Sequence, residues 1–398
     1  MGFLTKIRIV AIVALVGVVA FLFGVEQGRK TSMVSVASSS ASKADMSLFW
    51  RVWQRLEERY LDSSALDVKK MTYGAIAGMT AALDDPYTSF FPPTENSRSK
   101  EDLQGEFAGV GIQLGFVDKT LAVMSPLPGN PAEKAGIKAG DLILHIKDEV
   151  NKVDKDTQGI TLNDAVDLIR GKRGEQVTLT IFREGEKNTK DYTLTRETIN
   201  IASVEYSFVG SSKNILLVKV NRFGDKTKDE WEAAVTAYLN IKNRGGVVLD
   251  LRNNPGGYLQ RAVDLGSEFI ADGVIVKQQG KNLTETMNAN GNGRLIGEKL
   301  VILINKGSAS ASEILAGALA ERVGAKLVGE KSFGKGTVQE VEDFPGGAGI
   351  HITIAKWLLP SGKNIHKEGL EPDIAVEYVV NEKDPTADNQ LEKAIESL

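Results

Sequence analysis

The sequence of 398 residues contains no cysteine and only three histidines, His145, His351 and His366. A chain without cysteine forms no disulfide, no thiolate metal site and no cysteine nucleophile. With so few histidines we expect no His-rich metal site, and a histidine general base would have to be one of these three. No strongly basic block occurs and the net charge is −4, which argues against a nucleic-acid partner.

Charged residues are also missing from Ile9–Val25, an apolar run that follows Lys6 and Arg8. Its length is at the lower edge of a membrane-spanning helix and above the usual apolar core of a cleaved signal. We therefore predict an uncleaved anchor within residues 1–26, although the small residues of 35–42 leave a cleaved signal open. The basic flank predicts that the chain beyond the anchor is extracytoplasmic.

After the apolar run, residues 27–45 are rich in Ser, Ala, Lys and Thr, which is typical of a flexible linker. Helical spacing of apolar residues predicts an N-terminal helical region over 46–100, with helices at 46–61 and 68–83. Two amphipathic helices so close to a linker either form a docking arm, which would make a homodimer, or pack on the main body. The pattern does not separate these two interpretations.

The rest of the chain shows two different patterns. Residues 101–197 contain short alternating strands and a helix that begins after Thr161, which predicts a small capped barrel. Residues 198–375 alternate strands and helices, one of them capped by Thr227, which predicts an α/β sheet with parallel pairs and crossover helices. Residues 376–398 are predicted to form a C-terminal helical tail.

One strand-to-helix junction of the α/β region is rich in serine. Ser308, Ser310 and Ser312 follow a strand that ends at Ile304, and a serine there lies beside the unpaired N–H groups of a helix start. Such groups can stabilise an oxyanion, but each of the three serines is also an ordinary helix cap. The turn RNNPGG after another strand could form an anion-binding nest, or simply turn the chain.

A second motif, GEKSFGKGT at 329–337, is close to a nucleotide-binding P-loop. Gly336 occupies the position of the required Ser or Thr, and the residues after Lys335 favour a strand rather than a helix, so nucleotide binding is disfavoured. Alternatively, burial lowers the pKa of Lys335 and lets its amine act as a general base for a serine. Lys331 and Glu330 are rivals for that role, and an exposed lysine in a turn is the simplest alternative.

Taken together, five separated motifs resemble the carboxyl-terminal processing proteases, also called tail-specific proteases. The resemblance covers the chain from about residue 46, including GAIAGMTAALDDPYTSFF, and the five motifs occur in the family's order: LRNNPGG, GSASASEI, FGKGTVQ, TIAKWLLPSGKNI and GLEPDI.

This resemblance implies an α/β fold: a ClpP/crotonase-like protease core with an inserted PDZ domain. It implies Ser310 as the nucleophile, Lys335 as the general base and Gln339 as the residue that orients the lysine. It places the oxyanion donors at the amide of Ala311 and at the amide of a glycine in the NPGG turn, of which Gly256 is favoured. It also implies that no cofactor is required. The apolar run and its basic flank predict that the protein is held in a bacterial inner membrane with its catalytic part on the periplasmic side.

The β-rich unit resembles the PDZ domain of this family. The loop that would hold a terminal carboxylate corresponds to Gly109, Val110, Gly111 and Ile112. An extended peptide can add a strand beside such a loop, so the expected partners are proteins with accessible, apolar C-termini. The flanking helix would offer Leu162, Val166 and Ile169 to the last side chain, although core packing is an alternative for at least one of them. We also hypothesise that Arg170, at the end of that helix, transmits the binding of a peptide to the protease core.

The sequence therefore predicts a serine endopeptidase that captures C-terminal tails and cleaves through an acyl-enzyme. One rival is a catalytically idle, membrane-anchored PDZ adaptor. A second keeps hydrolysis but uses His351 or His366 as the base.

Overall fold

The computed structural model describes residues 44–291, 293–379, 384 and 387–398. The chain divides into two units, Met1–Thr72 and Tyr73–Leu398. The predicted anchor and nearly all of the predicted linker lie outside the described residues. Among the helices that are described, none has the length and apolar character to cross a bilayer.

The first unit is helical. Helix α1 spans Ser47–Arg59 and a 3₁₀ turn spans Ser63–Ala65. Helix α2, which spans Val68–Ala81, begins in this unit. Both predicted helices are confirmed, with slightly earlier ends. Helix α1 has no buried residue, and its side chains Leu48 and Trp50 are exposed.

The second unit contains a small β-barrel. Two elements of this unit precede the barrel, β1 (Ser89–Phe91) and α3 (Pro93–Gln104). The barrel region begins with β2 (Glu106–Gly109), β3 (Ile112–Val117), β4 (Thr120–Pro126) and α4 (Pro131–Lys134). It continues with β5 (Leu142–Asp148), β6 (Val153–Asp156), α5 (Leu162–Ile169), β7 (Gln176–Phe182), β8 (Lys190–Thr195) and β9 (Glu197–Asn200). The strand order is β3-β4-β5-β7-β8, with β6 on β5 and β2 paired with β9. Thr161 caps α5 as predicted, because its hydroxyl accepts the N–H of Asp164 at 3.1 Å.

The α/β region supplies the remaining elements. They are β10 (Val204–Val209), β11 (Ile215–Val220), α6 (Thr227–Leu239), β12 (Gly246–Asp250), α7 (Leu259–Gly266), β13 (Val274–Gly280) and β14 (Thr284–Asn288). They end with β15 (Leu300–Ile304), α8 (Ala311–Val323), β16 (Lys326–Gly329), β17 (Thr337–Asp343), β18 (Gly349–Leu358), β19 (Ile374–Ala375) and α9 (Asn389–Glu396). One sheet has the order β10-β11-β12-β15-β16-β19 and is parallel from β11 onward, as the alternation predicts.

A second sheet contains β17, the strand that carries Gln339. Its order is β1-β18-β13-β14, and β17 pairs with the other edge of β18. Strand β1 belongs to the predicted N-terminal region, yet its Ser89 lies opposite His351 of β18. The segment before β1 is therefore held against the core.

The main core fills one face of the parallel sheet. Buried residues of β11, β12 and β15, such as Leu249 and Ile302, pack with α6, α7 and α8. The opposite face, with Val248 and Leu303, is covered by α9, and this helix occupies Asn389–Glu396 of the predicted tail over 376–398. Burial of this apolar surface is the main source of stability.

The prediction that Thr227 caps its helix is wrong. Lys226 occupies the N-cap position, and Thr227 is the first helical residue. The Thr227 hydroxyl instead accepts the N–H of Gly224 at 2.8 Å and donates to the Arg222 carbonyl at 3.0 Å. It therefore closes the loop before the helix rather than the helix itself.

Candidate active site

Two loops meet at the carboxyl ends of the neighbouring parallel strands β12 and β15, where α/β sheets form ligand sites. Asn254, which is fully buried, joins them. Its carbonyl accepts the N–H of Ala309 at 3.0 Å and the hydroxyl of Ser312 at 2.9 Å. Its side-chain amide donates to the Val220 carbonyl at 2.6 Å. No pattern in the sequence singles out Asn254 for this role.

The three serines of the second loop have different environments. Ser308 and Ser312 are fully buried, and their hydroxyls donate to the carbonyls of Leu251 and Asn254 at 2.8 and 2.9 Å. Ser310 is half-buried, and within the described part of the chain its hydroxyl has no acceptor. The two outer serines thus fasten the loop, and of the three only Ser310 has a hydroxyl that donates to no acceptor among the described residues.

Ser310 has an unusual backbone. Its φ is +56°, a conformation that costs a residue other than glycine about 1–3 kcal/mol. Gly256 lies directly against it: a Cβ built on Gly256 would lie 2.8 Å from the Ser310 Cβ and 3.1 Å from the Ala311 nitrogen. Only glycine fits there, so the fold brings together the predicted nucleophile and both predicted oxyanion positions.

The amides at this turn differ in their bonding. The Gly256 N–H donates to the Asn254 Oδ1 at 2.9 Å. The N–H groups of Ala311 and Gly257 have no acceptor in the described part of the chain. The Ala311 amide is therefore available to an oxyanion. The Gly256 amide would first have to give up its hydrogen bond to the Asn254 side chain. Gly256 as an oxyanion donor stays a prediction.

Lys335 follows Gly334 in an extended loop, and strand β17 begins two residues later, as the sequence predicts. Burial lowers the pKa of its amine below the usual value, while the carboxylates of Asp85 and Glu313 act in the opposite direction. The Lys335 Nζ lies 5.0 Å from the centre of the Tyr87 ring. In the described part of the chain it donates to no oxygen, including the Ser310 hydroxyl.

Gln339 lies on β17 close to a bulge. Its side-chain nitrogen donates to the hydroxyls of Thr337 and Thr353, both at 3.0 Å. A hydrogen bond to Lys335 is not formed among the described residues. The orienting role of Gln339 therefore stays a prediction, and in this structure the two threonines hold its side chain.

The segment before β1 is part of the site, although the sequence analysis gave it no catalytic role. The Thr88 hydroxyl donates to Asp85 at 2.7 Å and accepts the N–H of Thr353 at 3.0 Å. The Asp85 carboxylate also bonds the Thr353 side chain, which in turn accepts from Gln339. The motif DDPYTSFF could have signalled this, because it belongs to the stretch that carries the resemblance.

Two of the three histidines lie near the lysine. Burial, and then the charge of Lys335, lower the pKa of His351, which packs on the Phe91 ring at 4.4 Å. The Nδ1 of His366 accepts the N–H of Gly336 at 3.3 Å.

In the small β-barrel, most of the predicted peptide-binding residues line one cavity of about 70 Å³. Its lining is Phe107, Gly109, Val110, Gly111, Ile112, Leu114, Val166, Ile169 and Arg170. Leu162 does not line it; its side chain is 39% exposed at the start of α5. Val110 and Ile169 are also buried in the core of the barrel, as the packing alternative for Ile169 anticipated. The positive φ of Gly111 and its contact with Asn130 require glycine there.

Arg170 lies at the boundary between this cavity and the rest of the chain. Its guanidinium carbon is 4.0 Å from the centre of the Phe107 ring, and its Nη1 is 3.6 Å from Glu101 of α3. Helix α3 also bonds the core, because Lys100 pairs with Asp343 of β17 at 2.6 Å. One helix thus contacts both Arg170 and the strand that carries Gln339.

Comparison with known proteins agrees with this architecture. Residues 214–376 match peptidase family S41, and residues 123–183 match a PDZ domain. Over 373 residues the chain is 33% identical to the carboxy-terminal processing protease CtpA of Bacillus subtilis, covering 94% of this chain and 78% of that protein.

Further similarity extends over almost the whole length. The chain is 34% identical over 403 residues to the carboxyl-terminal-processing protease of Synechocystis, covering 95% and 92% of the two proteins. It also superposes on the solved photosystem II D1 C-terminal processing protease with a TM-score of 0.51 at 30% identity, covering 88% and 96% of the two chains.

Proposed function

Because the chain belongs to the C-terminal processing proteases of peptidase family S41, we propose that it cleaves proteins by a Ser310–Lys335 mechanism after its PDZ domain captures their C-terminal tail. The observation that carries this proposal is the contrast among the serines. Ser308 and Ser312 donate their hydroxyls to buried carbonyls, whereas Ser310 has a strained backbone and a hydroxyl that donates to no acceptor among the residues that the structure describes.

In the first half-reaction the neutral amine of Lys335 takes the proton of the Ser310 hydroxyl. The Oγ bonds to the carbonyl carbon of the scissile peptide, and the carbonyl oxygen becomes an oxyanion beside the Ala311 and Gly256 amides. The C–N bond then breaks, and the leaving amine receives its proton from the Lys335 ammonium. The product is an ester between the substrate and Ser310.

In the second half-reaction a water gives a proton to the Lys335 amine and its oxygen adds to the ester carbon. The ester C–O bond breaks, the proton returns to the Ser310 Oγ, and the new carboxyl end leaves. Both steps require an uncharged amine, and the burial that lowers the Lys335 pKa supports this role. Gln339 would orient the amine once its hydrogen bonds to the threonines exchange.

The substrate class follows from the PDZ domain. Its cavity is lined by residues 109–112 and by residues with apolar side chains, including Val166 and Ile169. Free N–H groups of such a loop suit a terminal carboxylate, and the small apolar cavity suits an apolar last residue. The proposed substrates are therefore proteins with accessible, apolar C-termini.

The proposal is tested by incubating the purified protein with an unfolded protein that carries a free or an amidated apolar tail. Peptide release from the free tail, a marked reduction with the amidated tail, and none with Ser310→Ala are expected. Tail binding without peptide release by the wild type would favour the idle adaptor instead.

We also propose that Ile9–Val25 anchors the protein in a bacterial inner membrane with its catalytic part on the periplasmic side, since Lys6 and Arg8 flank the apolar run. Resistance of the protein to alkaline extraction from membranes, and digestion of its catalytic part by protease added to spheroplasts, are the expected results.

The exposed apolar residues of α1 support a homodimer formed through the N-terminal helices. Sedimentation of Trp50→Glu as a smaller species than the wild type would test that association.

A further inference from the structure

Glu313 is a fully buried carboxylate that the proposed reaction does not use. It is the third residue of helix α8, just after Ser310. Its Oε2 accepts the backbone N–H of Ser310 and of Lys335, both at 2.9 Å. Its Oε1 accepts the N–H of Gly334 at 2.7 Å and the hydroxyl of Ser332 at 2.5 Å. One side chain thus joins the backbone of the nucleophile to that of the base.

A buried charge is costly unless hydrogen bonds replace its hydration. Within the described part of the chain no Arg or Lys side chain forms an ion pair with Glu313. Its compensation comes instead from the donors of two backbone segments and from the positive end of α8. All these donors need an acceptor oxygen. An ionised carboxylate accepts at both of its oxygens, whereas the side-chain amide of glutamine accepts at only one.

The bond to the Ser310 N–H also supports the strained φ of that residue. Without it, a backbone at φ +56° would relax toward a commoner conformation and move the hydroxyl. The bonds to Gly334 and Lys335 fix the loop from which the amine extends. The geometry points to Glu313 as a positioning residue that holds the backbones of Ser310 and Lys335 at a fixed separation during cleavage. This inference rests on the proposed function of those two residues.

The charge of Glu313 gives the inference a second readout. The groups that face the Lys335 amine are the Asp85 carboxylate, the Tyr87 ring, the His351 ring and Glu313. Both carboxylates favour the ammonium form. Replacing Glu313 by a neutral residue therefore lowers the Lys335 pKa further, and the acid limb of the kcat/KM profile moves to lower pH.

The experiment compares Glu313→Gln with the matched control Glu321→Gln on the same helix, where the Glu321 carboxylate bonds only Ser361 among the described residues. The substrate is an unfolded protein with a free apolar tail. For Glu313→Gln we expect kcat to fall about a hundredfold with KM changed less than about threefold, because misplacement by about 1 Å has that cost. We also expect the acid limb to move to lower pH. The control should match the wild type.

Glu313→Gln with wild-type kcat and an unmoved acid limb would overturn the inference. If this variant does not fold, Ser332→Ala decides: loss of one donor should lower kcat about tenfold with KM unchanged, and a wild-type kcat there would contradict positioning. Ser310→Ala and Lys335→Ala are run beside them. Near-normal activity in either would contradict the proposed function itself, whereas a severe loss in both together with a fully active Glu313→Gln contradicts only the present inference.

Discussion

The Nζ of Lys335 lies 5.0 Å from the centre of the Tyr87 ring, although the two residues are far apart in the sequence. An ammonium over an aromatic face is stabilised by about 0.5–2 kcal/mol. Because Tyr87 precedes β1, which pairs with β18, the segment is fixed to the core and not merely adjacent to it. The N-terminal region therefore completes the site around the proposed general base.

Replacement of Tyr87 should affect the lysine through the ring and not through the hydroxyl. We expect Tyr87→Phe to keep kcat within about twofold, and Tyr87→Leu to lower kcat about tenfold because the face that holds the amine is lost. Steady-state cleavage of a tailed protein measures both. Equal losses in the two variants would show that the hydroxyl, and not the ring face, is what matters.

The pH profile should report the Lys335 amine. Only the neutral amine accepts a proton, so kcat/KM should rise with pH through the lysine's pKa, which burial places below 10.5. Asp85 raises that pKa, so Asp85→Asn should move the acid limb to lower pH. The neighbouring Asp84→Asn is the matched control, since Asp84 is exposed and asparagine tolerates its positive φ. A shift to higher pH in Asp85→Asn would contradict the electrostatic argument.

The three serines should separate into two classes. Ser310→Ala should abolish cleavage with the melting temperature nearly unchanged. Ser308→Ala and Ser312→Ala each lose a buried hydrogen bond, which should cost about 1–3 kcal/mol of unfolding free energy while the folded protein still cleaves. Thermal unfolding and peptide release measure the two effects. An inactive but fully stable Ser308→Ala would contradict the assignment of Ser308 to the structural class.

Arg170 tests the communication between the PDZ domain and the core. It contacts Phe107 at the cavity and Glu101 of α3, whose Lys100 pairs with β17. We expect Arg170→Ala to reduce by about three- to tenfold the preference for a tailed over an untailed substrate, an effect of one interaction of about 1 kcal/mol. Arg173→Ala, an exposed neighbour, should keep that preference. Unchanged cleavage of both substrates by Arg170→Ala would remove the hypothesis.

Much of the fold could be predicted because its patterns are local. The alternation around β12 and β15 and the Thr161 cap depend on neighbouring residues, and the structure confirms them. The failed Thr227 cap shows the limit: its hydroxyl bonds a loop whose position depends on the tertiary fold.

The site was less predictable for the same reason. Local sequence could not choose among the three serines; the choice came from the family resemblance. What distinguishes them in the structure is the distant carbonyls of Leu251 and Asn254. Likewise, the roles of Asp85 and Tyr87 depend on a pairing between β1 and β18 across more than half the chain. Such contacts leave no periodic signal in the sequence.

The most direct test of the proposed mechanism compares Lys335→Ala with Lys331→Ala. Lys331 lies nearby in the same loop, but its Nζ pairs with Glu371 at 2.5 Å, so it serves as the control. On a tailed protein substrate, Lys335→Ala should reduce kcat/KM by about 10²–10⁴-fold, and Lys331→Ala should stay within about twofold of the wild type. Near-normal cleavage by Lys335→Ala would show that another group takes the proton of Ser310.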